Sequence, residues 1–343
     1  MGQLTFLNFV GDQLWKVHPV VHVDLSGKTV VVVGANVGLG FEAAKHFASM
    51  NPERLVLGCR SQEKGQAAVQ AIQATGFKNA ELALVDLSRF ASVSAFANAF
   101  IRDGSQIDIL VYNAGVASPN YVSTSDDWEE MIQVNHLSAV LLTVLLLPCL
   151  LKAASSGSSP NPRVVVVSSD VHYWASLSKE MAENDDKVLQ KLSNKDYCTP
   201  KVMGDRYSLS KLLNVLFVRE LTKRLPANSP IIVTSVNPGY CKSQLGRHLP
   251  FAVRIATAIM AAVLARTTEQ GSRQLVWAAV GGAGREFELR GNYVSKANLQ
   301  EVSDYVLSDD GAVAQRRIWE ESVEILSGVE PKFESIVREM LTS

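Results

Sequence analysis

The chain has 343 residues, 47% of them apolar and 20% charged, with 33 Lys and Arg against 34 Asp and Glu. That is enough for one large or two ordinary domains around a buried core, and too apolar for a disordered chain. The near-zero net charge lacks the basic excess that a nucleic-acid backbone demands, and four cysteines (Cys59, Cys149, Cys198, Cys241) without C-x-x-C spacing give neither a disulfide framework nor a zinc knuckle, as expected in a reducing compartment such as the cytoplasm.

Residues 1–26 read as an extension. Met1–Val23 has no basic leader and no long apolar run, so no secretory signal is expected. Leu4–Trp15 has Phe6, Phe9, Val10 and Leu14 near one helical face; a helix packed on the domain surface is expected, with membrane contact as the alternative. From Thr29 onward short β-branched runs alternate with helical patterns. Strands are expected at Thr29–Val33, Arg54–Gly58, Glu81–Val85, Ile107–Tyr112, Arg163–Ser168 and Pro230–Val236, most of them continuous apolar runs of the kind buried on both faces of a parallel sheet. Helical periodicity appears at Ala43, Phe47 and Met50, over Ser92–Arg102 and over Tyr207–Leu225. Leu137–Leu151, broken by Pro148 and shorter than the ~20 residues of a membrane span, reads as a buried core helix. Ala153–Pro162 is a loop by composition. Phe251–Ala265 is also too short to span and carries Arg254; it reads as a substrate lid, with a membrane-facing helix or an oligomer contact as alternatives. The tail holds helical segments at Ala312–Leu326 and Lys332–Leu341. This alternation predicts an α/β fold, a doubly wound parallel sheet with helices on both faces.

The motifs fall at the ends of the expected strands. After the first comes Gly34-Ala-Asn36-Val-Gly38-Leu39-Gly40, then a helix. Gly34 permits a tight turn, Gly38 lets backbone approach a phosphate, and Gly40 lets helix and strand pack closely. The helix N-terminus adds free N–H groups and positive dipole. A plain strand–turn–helix connection and a methyl-donor cofactor site remain alternatives for this turn alone. The second strand ends at Cys59-Arg60 with no carboxylate before Glu63. An acidic side chain there binds a ribose 2′-hydroxyl, whereas a cation binds a 2′-phosphate, so Arg60 favours NADP(H) over NAD(H). Asp86, followed by Leu87 at the end of the third strand, could take the adenine amino group or cap a helix beside Ser88. Tyr207 and Lys211 stand at i and i+4 on one helical face. A tyrosine ordinarily titrates near about 10, and a fixed cation brings its phenol toward the working range. Their company is Asn113-Ala114-Gly115 after the fourth strand, Asn135 in the next helix, and Ser168-Ser169 at the fifth strand, where an open parallel sheet has its ligand crevice.

Taken in order, Gly34-x3-Gly38-x-Gly40, Asn113-Ala114-Gly115, Asn135, Ser169, Tyr207-x3-Lys211 and Pro238-Gly239 resemble the short-chain dehydrogenase/reductase family over roughly residues 27–300. The chain is most similar to its retinol-dehydrogenase-like branch, which includes the WW-domain oxidoreductases, in Gly-Ala-Asn-x-Gly-Leu-Gly, Cys59-Arg60, Val134-Asn135-His136-Leu137, Gly291-Asn292-Tyr293 and the lead-in Asp24-Leu-Ser-Gly-Lys28. The resemblance implies a single Rossmann-type domain. It makes Tyr207 the general acid in reduction or base in oxidation, with Lys211 lowering its pKa and holding the nicotinamide ribose. Ser169, rather than Ser168, would bind the substrate oxygen, and Asn135 would orient a water that links Lys211 to solvent. Pro238, Gly239 and Ser243 would flank the carboxamide. Two departures stand out. Val33 replaces the usual Thr of the first motif, and the interval from Ser169 to Tyr207 is long, inserting residues 172–206 with Trp174, Met181 and a charged helical stretch Lys179–Lys191.

The surplus length thus divides into the extension 1–26, the insert 172–206, a lid 240–266 and a helical tail 301–343 around one domain. An apolar lid with Phe251 predicts a small hydrophobic substrate, a terpenoid, polyketide, retinoid, steroid or aromatic carbonyl or alcohol; Arg247 and Arg254 weaken the exclusion of phosphorylated ones. A monomer or homodimer is expected. The competing class is a non-catalytic NADP(H)-binding regulator or scaffold on the same fold, against which the intact Asn135, Ser169, Tyr207 and Lys211 set argues.

Overall fold

Five of the strands are runs in which nearly every residue is buried, which only a sheet covered on both faces can satisfy. The computed structural model describes residues 5–14, 16–155, 161–184, 187–242 and 261–342. Within them β1 (Thr29–Val33), β2 (Arg54–Cys59), β3 (Ala80–Leu84), β4 (Ile109–Tyr112), β5 (Arg163–Val167), β6 (Ile232–Val236), β7 (Tyr293–Ser295) and β8 (Asn298–Gln300) form one sheet in the order β3-β2-β1-β4-β5-β6-β7-β8. All neighbours are parallel except β7 and β8. The winding direction reverses between β1 and β4, so the strand ends diverge there and leave a crevice.

Each face carries its own helices. One core is built from β-strand side chains with α2 (Gly38–Ala48), α3 (Gln62–Gln73) and a later helix Thr268–Val280. The other gathers α4 (Phe90–Arg102), α5 (Ser138–Leu145), α6 (Leu147–Ser155), α9 (Pro200–Arg224) and the tail helices Asp309–Val329 and Pro331–Met340. The extension forms α1 (Phe6–Leu14).

Among the described residues the expected strands and the core and tail helices are present, with these differences. The short pair β7–β8 was not expected; three residues are too few to show a pattern, and Tyr293 was noticed only through its motif. The insert folds as α7 (Lys179–Asn184) and α8 (Val188–Ser193), then as the first turns of α9, which begins at Pro200 rather than Tyr207. Thr199 caps it by accepting from Val202 N–H, and Pro200 sits in the first turn, where its missing donor costs nothing. The apolar run 137–151 breaks at Leu146, two residues before Pro148: a π-helical turn Ile132–Leu137 leads into α5, and α6 starts at Leu147 after a 42° bend, so Pro148 also lies in a first turn. Every residue of α5 is buried in the core, and among the described residues no single helix is long and apolar enough to cross a membrane. The two ends of the segment expected as a lid meet: Arg266 N–H donates to the Tyr240 carbonyl and Lys242 N–H to the Arg266 carbonyl, both at 2.9 Å. Ser243, Arg247, Phe251 and Arg254 lie outside the described residues.

Candidate active site

The glycine-rich turn and the fourth-strand turn hold each other. Asn113 and Ala114 both donate backbone N–H groups to the Val33 carbonyl (3.1 and 3.0 Å), and Asn113 Nδ2 donates to the Gly34 carbonyl (2.8 Å). Gly34 has φ +81°, and a Cβ on it would come within 2.8 Å of Ala114. A Cβ on Gly40 would lie 2.3 Å from the Gly34 carbonyl oxygen and 2.5 Å from Asn113 Nδ2. Gly40 therefore makes room for the asparagine brace as much as for helix packing. Gly38, φ +69°, is different: nothing lies within 4 Å of where its Cβ would point. It opens α2, whose first N–H groups receive no side-chain cap, with Asn36 and Leu39 half-buried in the same turn. A cradle of backbone donors beside open space is what a pyrophosphate requires.

At the next two strand ends the chemistry separates. Arg60 is exposed and makes no hydrogen bond or ion pair among the described residues, leaving its guanidinium available, whereas burial pushes the neighbouring Cys59 thiol up to about 11. Asp86 Oδ1 accepts from Ser88 N–H (3.1 Å) and Ser88 Oγ (2.7 Å), so one carboxylate oxygen serves the local turn. The helix cap anticipated for Asp86 is not formed: the carboxylate closes a turn on Ser88, and α4 starts after Arg89 with no side-chain cap, which leaves the second Asp86 oxygen over. Leu87 is buried and fixed by its carbonyl to Ser138 Oγ (2.7 Å).

The reacting groups meet at the carboxyl end of β5. Lys211, buried, donates from Nζ to the Val167 carbonyl (2.9 Å), and its Nζ stands 5.6 Å from the centre of the Tyr207 ring. A Cβ on Gly115 would lie 3.4 Å from that Nζ and 3.3 Å from Asn135 Oδ1, so the bare glycine leaves both atoms uncrowded. Burial pushes the Lys211 ammonium down to about 8 and the Tyr207 phenol up to about 12. The protein alone therefore does not lower the tyrosine, contrary to the sequence expectation: desolvation outweighs a cation held across the ring rather than at the hydroxyl. The two serines differ. Ser168 Oγ donates to the Lys211 carbonyl (2.8 Å) and is spent on structure. Ser169 accepts one long bond from Val171 N–H (3.4 Å), and its own proton has no acceptor among the described residues. Asn135 is fully committed: Oδ1 accepts from Val116 N–H (2.8 Å), while Nδ2 donates to the Val116 carbonyl and Ser210 Oγ (2.9 Å each).

Two braces were missed from sequence. Asn237, just before Pro238-Gly239, accepts from Gly239 N–H (3.0 Å) and Asp170 N–H (3.4 Å) and donates to Ser295 Oγ (3.1 Å), tying the loops after β5, β6 and β7. Tyr293 donates to the buried Asp170 carboxylate (2.7 Å), directly behind Ser169. Asn237 adjoins the Pro238-Gly239 motif and Tyr293 ends Gly291-Asn292-Tyr293, but neither motif signals a bracing role.

The residues present fit a dinucleotide, with the glycine cradle at one end, a free cation at the β2 end and the bare Gly115 beside Lys211. Fold and relatives define a nicotinamide-dependent oxidoreductase on a doubly wound sheet. Residues 28–182 match the short chain dehydrogenase family model. The chain is 34% identical over 329 residues to the short chain dehydrogenase/reductase dmxR8 of Cryptosporiopsis sp., covering 95% of this chain and 98% of that one. It is 34% identical over 339 residues to the short-chain dehydrogenase anuD of Penicillium roqueforti, covering 96% and 85%. It belongs to the short-chain dehydrogenase/reductase family. Solved structures agree on the fold: an uncharacterized protein from Mycobacterium Paratuberculosis (26% identity, TM-score 0.64, 91% and 97% covered) and NADPH bound carbonyl reductase from chicken fatty liver (23%, TM-score 0.55, 81% and 100% covered).

Proposed function

We propose that the chain is an NADP(H)-dependent oxidoreductase that interconverts a ketone or aldehyde with an alcohol on a small hydrophobic substrate. One observation carries the reading: beside the carboxyl end of β5 the hydroxyl protons of Ser169 and Tyr207 have no acceptor among the described residues, while Ser168, Asn135 and Ser210 are engaged. Uncommitted hydroxyl donors are what a carbonyl oxygen needs as charge develops on it.

The nicotinamide supplies or takes up the hydride when bound. Gly34, Gly38 and Gly40 would hold the pyrophosphate, with Asn36 and Leu39 in the same turn and Arg60 on the 2′-phosphate. Asp86 and Leu87 would border the adenine. Asn113, Ala114 and Gly115 would give the nicotinamide ribose a flat backbone to lie on, and Lys211 would bond its hydroxyls. Pro238, Gly239 and Ser243 would border the carboxamide. Ser169 orients the substrate oxygen, and Tyr207 passes its phenolic proton to that oxygen in reduction. A phenol held near about 12 is protonated at neutral pH, the form a general acid needs. Oxidation requires the phenolate, which the Lys211 charge favours. Because the Asn135 amide is spent on Val116 and Ser210, its side chain is not free to orient a water beside Lys211. A non-catalytic scaffold gives no reason to keep these hydroxyls free.

The test is a panel of hydrophobic ketones and aldehydes offered with NADPH or NADH and followed by absorbance of the reduced nicotinamide. Consumption is expected with NADPH and apolar carbonyls; NADPH binding without consumption across the panel would favour the scaffold.

A further inference from the structure

The extension does not pack as its apolar periodicity predicts. Of the α1 side chains described, the buried ones are Phe9 and Gln13, one turn apart, while Leu14 is 71% exposed. A helix that turns a glutamine inward and a leucine outward is not placed for apolar burial alone. Gln13 Oε1 accepts the Tyr240 backbone N–H (3.1 Å). Asp12 binds on both sides: its carbonyl accepts from Arg266 Nη2, and its carboxylate pairs with Lys296 Nζ, both at 2.7 Å. Three bonds from two adjacent residues thus pin α1 to Tyr240, to Arg266 and to the β7–β8 turn.

This anchoring fixes Phe9 between two loops. Its ring centre is 6.2 Å from that of Trp174 and 6.1 Å from that of Tyr240, tilted by 57° in both pairs. Trp174 closes the helical turn Asp170–Trp174 that starts immediately after Ser169, and Tyr240 follows Pro238-Gly239. The three rings therefore bridge the two loops that flank the reacting groups, and Trp174 remains 53% exposed on that rim. Tilted aromatic faces in this arrangement favour a further flat apolar ring over an aliphatic chain.

We propose that α1 is a specificity-determining wall of the reacting site: Phe9, held by the Asp12 and Gln13 anchors, sets the aromatic rim with Trp174 and Tyr240 and selects flat multi-ring carbonyl substrates. This rests on the ketone–alcohol reading above and adds a substrate class and the residue that chooses it.

The experiment compares kcat/KM for a multi-ring aromatic ketone with that for a short aliphatic ketone in the full-length protein. Phe9→Ala is expected to lower the multi-ring over aliphatic ratio about tenfold, of the order that one lost aromatic contact supplies, chiefly through KM. Phe9→Tyr should restore it, and Leu14→Ala on the outer face should match wild type. Trp174→Ala, at a half-exposed position where folding is not at stake, should lower the same ratio. An unchanged ratio in Phe9→Ala or Trp174→Ala overturns the proposal, as does an equal loss on both substrates. If wild type turns over neither ketone, the reaction assignment fails, and the wall is read separately by quenching of tryptophan fluorescence on adding the multi-ring ketone. Quenching that is lost in both Trp174→Phe and Phe9→Ala supports the wall; quenching that survives either, or is absent in wild type, overturns it.

Discussion

Two buried lysines mark opposite edges of the same sheet. Lys28, before β1, is 5% exposed and faces Asp108 at 3.1 Å; the second Asp108 oxygen accepts from Thr29 N–H (2.9 Å). Lys211, at the carboxyl edge, is 3% exposed and has a backbone carbonyl as its hydrogen-bond partner, with no ion pair among the described residues. Identical groups at equal depth are thus compensated at one edge and left short at the other. A buried cation without a counter-charge is costly, and burial accordingly drags Lys211 down to about 8. Such a group persists where a ligand completes it, which is why strained electrostatics cluster at functional sites.

Exchanging partners at each edge should break this contrast in different currencies. Tyr207→Phe, which removes the proton but keeps the ring over Lys211, is expected to cut turnover by about 10²–10⁴-fold while NADPH still raises the melting temperature. A variant that turns over normally would remove Tyr207 from the mechanism. Asp108→Ala acts at the other edge, leaving Lys28 buried without its carboxylate. Loss of one partner of a buried pair costs about 3–5 kcal/mol, read by denaturant unfolding, while activity per folded molecule should be unchanged. A small stability loss would show that Lys28 reaches water and that the two edges do not differ as drawn.

The pH dependence of stability sharpens the lysine comparison directly. The folded protein binds the Lys211 proton near about 8, and an ordinary lysine binds it near 10.5. Between those values the unfolded chain holds the extra proton, so this group makes stability rise with pH and adds a constant penalty below the window. Tyr207, raised from 10.0 to about 12, acts in the opposite sense above pH 10. Across pH 8–10, Lys211→Met should therefore flatten the stability profile relative to wild type by about 2 kcal/mol, at about 1.4 kcal/mol per pH unit. Parallel profiles would mean that Lys211 keeps an ordinary affinity for its proton.

Most of the sheet and the motif residues could be read from sequence because both are local signals. Runs such as Val30–Val33 and Val164–Val167 fit a doubly covered strand and little else, and Gly34, Gly38 and Gly40 are required by turn geometry. Long-range satisfaction was not legible. Gln13 is buried with its side-chain oxygen accepting the N–H of Tyr240, over two hundred residues away. Asn237 looked like an ordinary residue before a proline, yet it joins three loops. Asn135 was recognised as a motif residue, but its three hydrogen bonds, and the π-helical turn that aims them, follow from packing against Val116 and Ser210. The Tyr207 phenol was expected to be lowered by its sequence neighbour; burial, which no spacing encodes, pushes it the other way.

Arg60 extends the contrast to a cation that is neither buried nor compensated. Exposed and without a partner among the described residues, it costs nothing to maintain, so its value is the difference it makes between two cofactors. A charge-assisted bond from a guanidinium to a phosphate contributes about 1.5–3 kcal/mol, reduced at an exposed position by solvent and salt. Arg60→Ala should therefore raise the NADPH KM by about tenfold and leave the NADH KM within about twofold, and the NADPH penalty should shrink as ionic strength rises. Equal effects on both cofactors would make Arg60 a general anchor and leave the 2′-phosphate to another group. A substitution with no effect on either would place it among the solvated surface charges, and the free cation at the β2 end would cease to count toward the fit of the site.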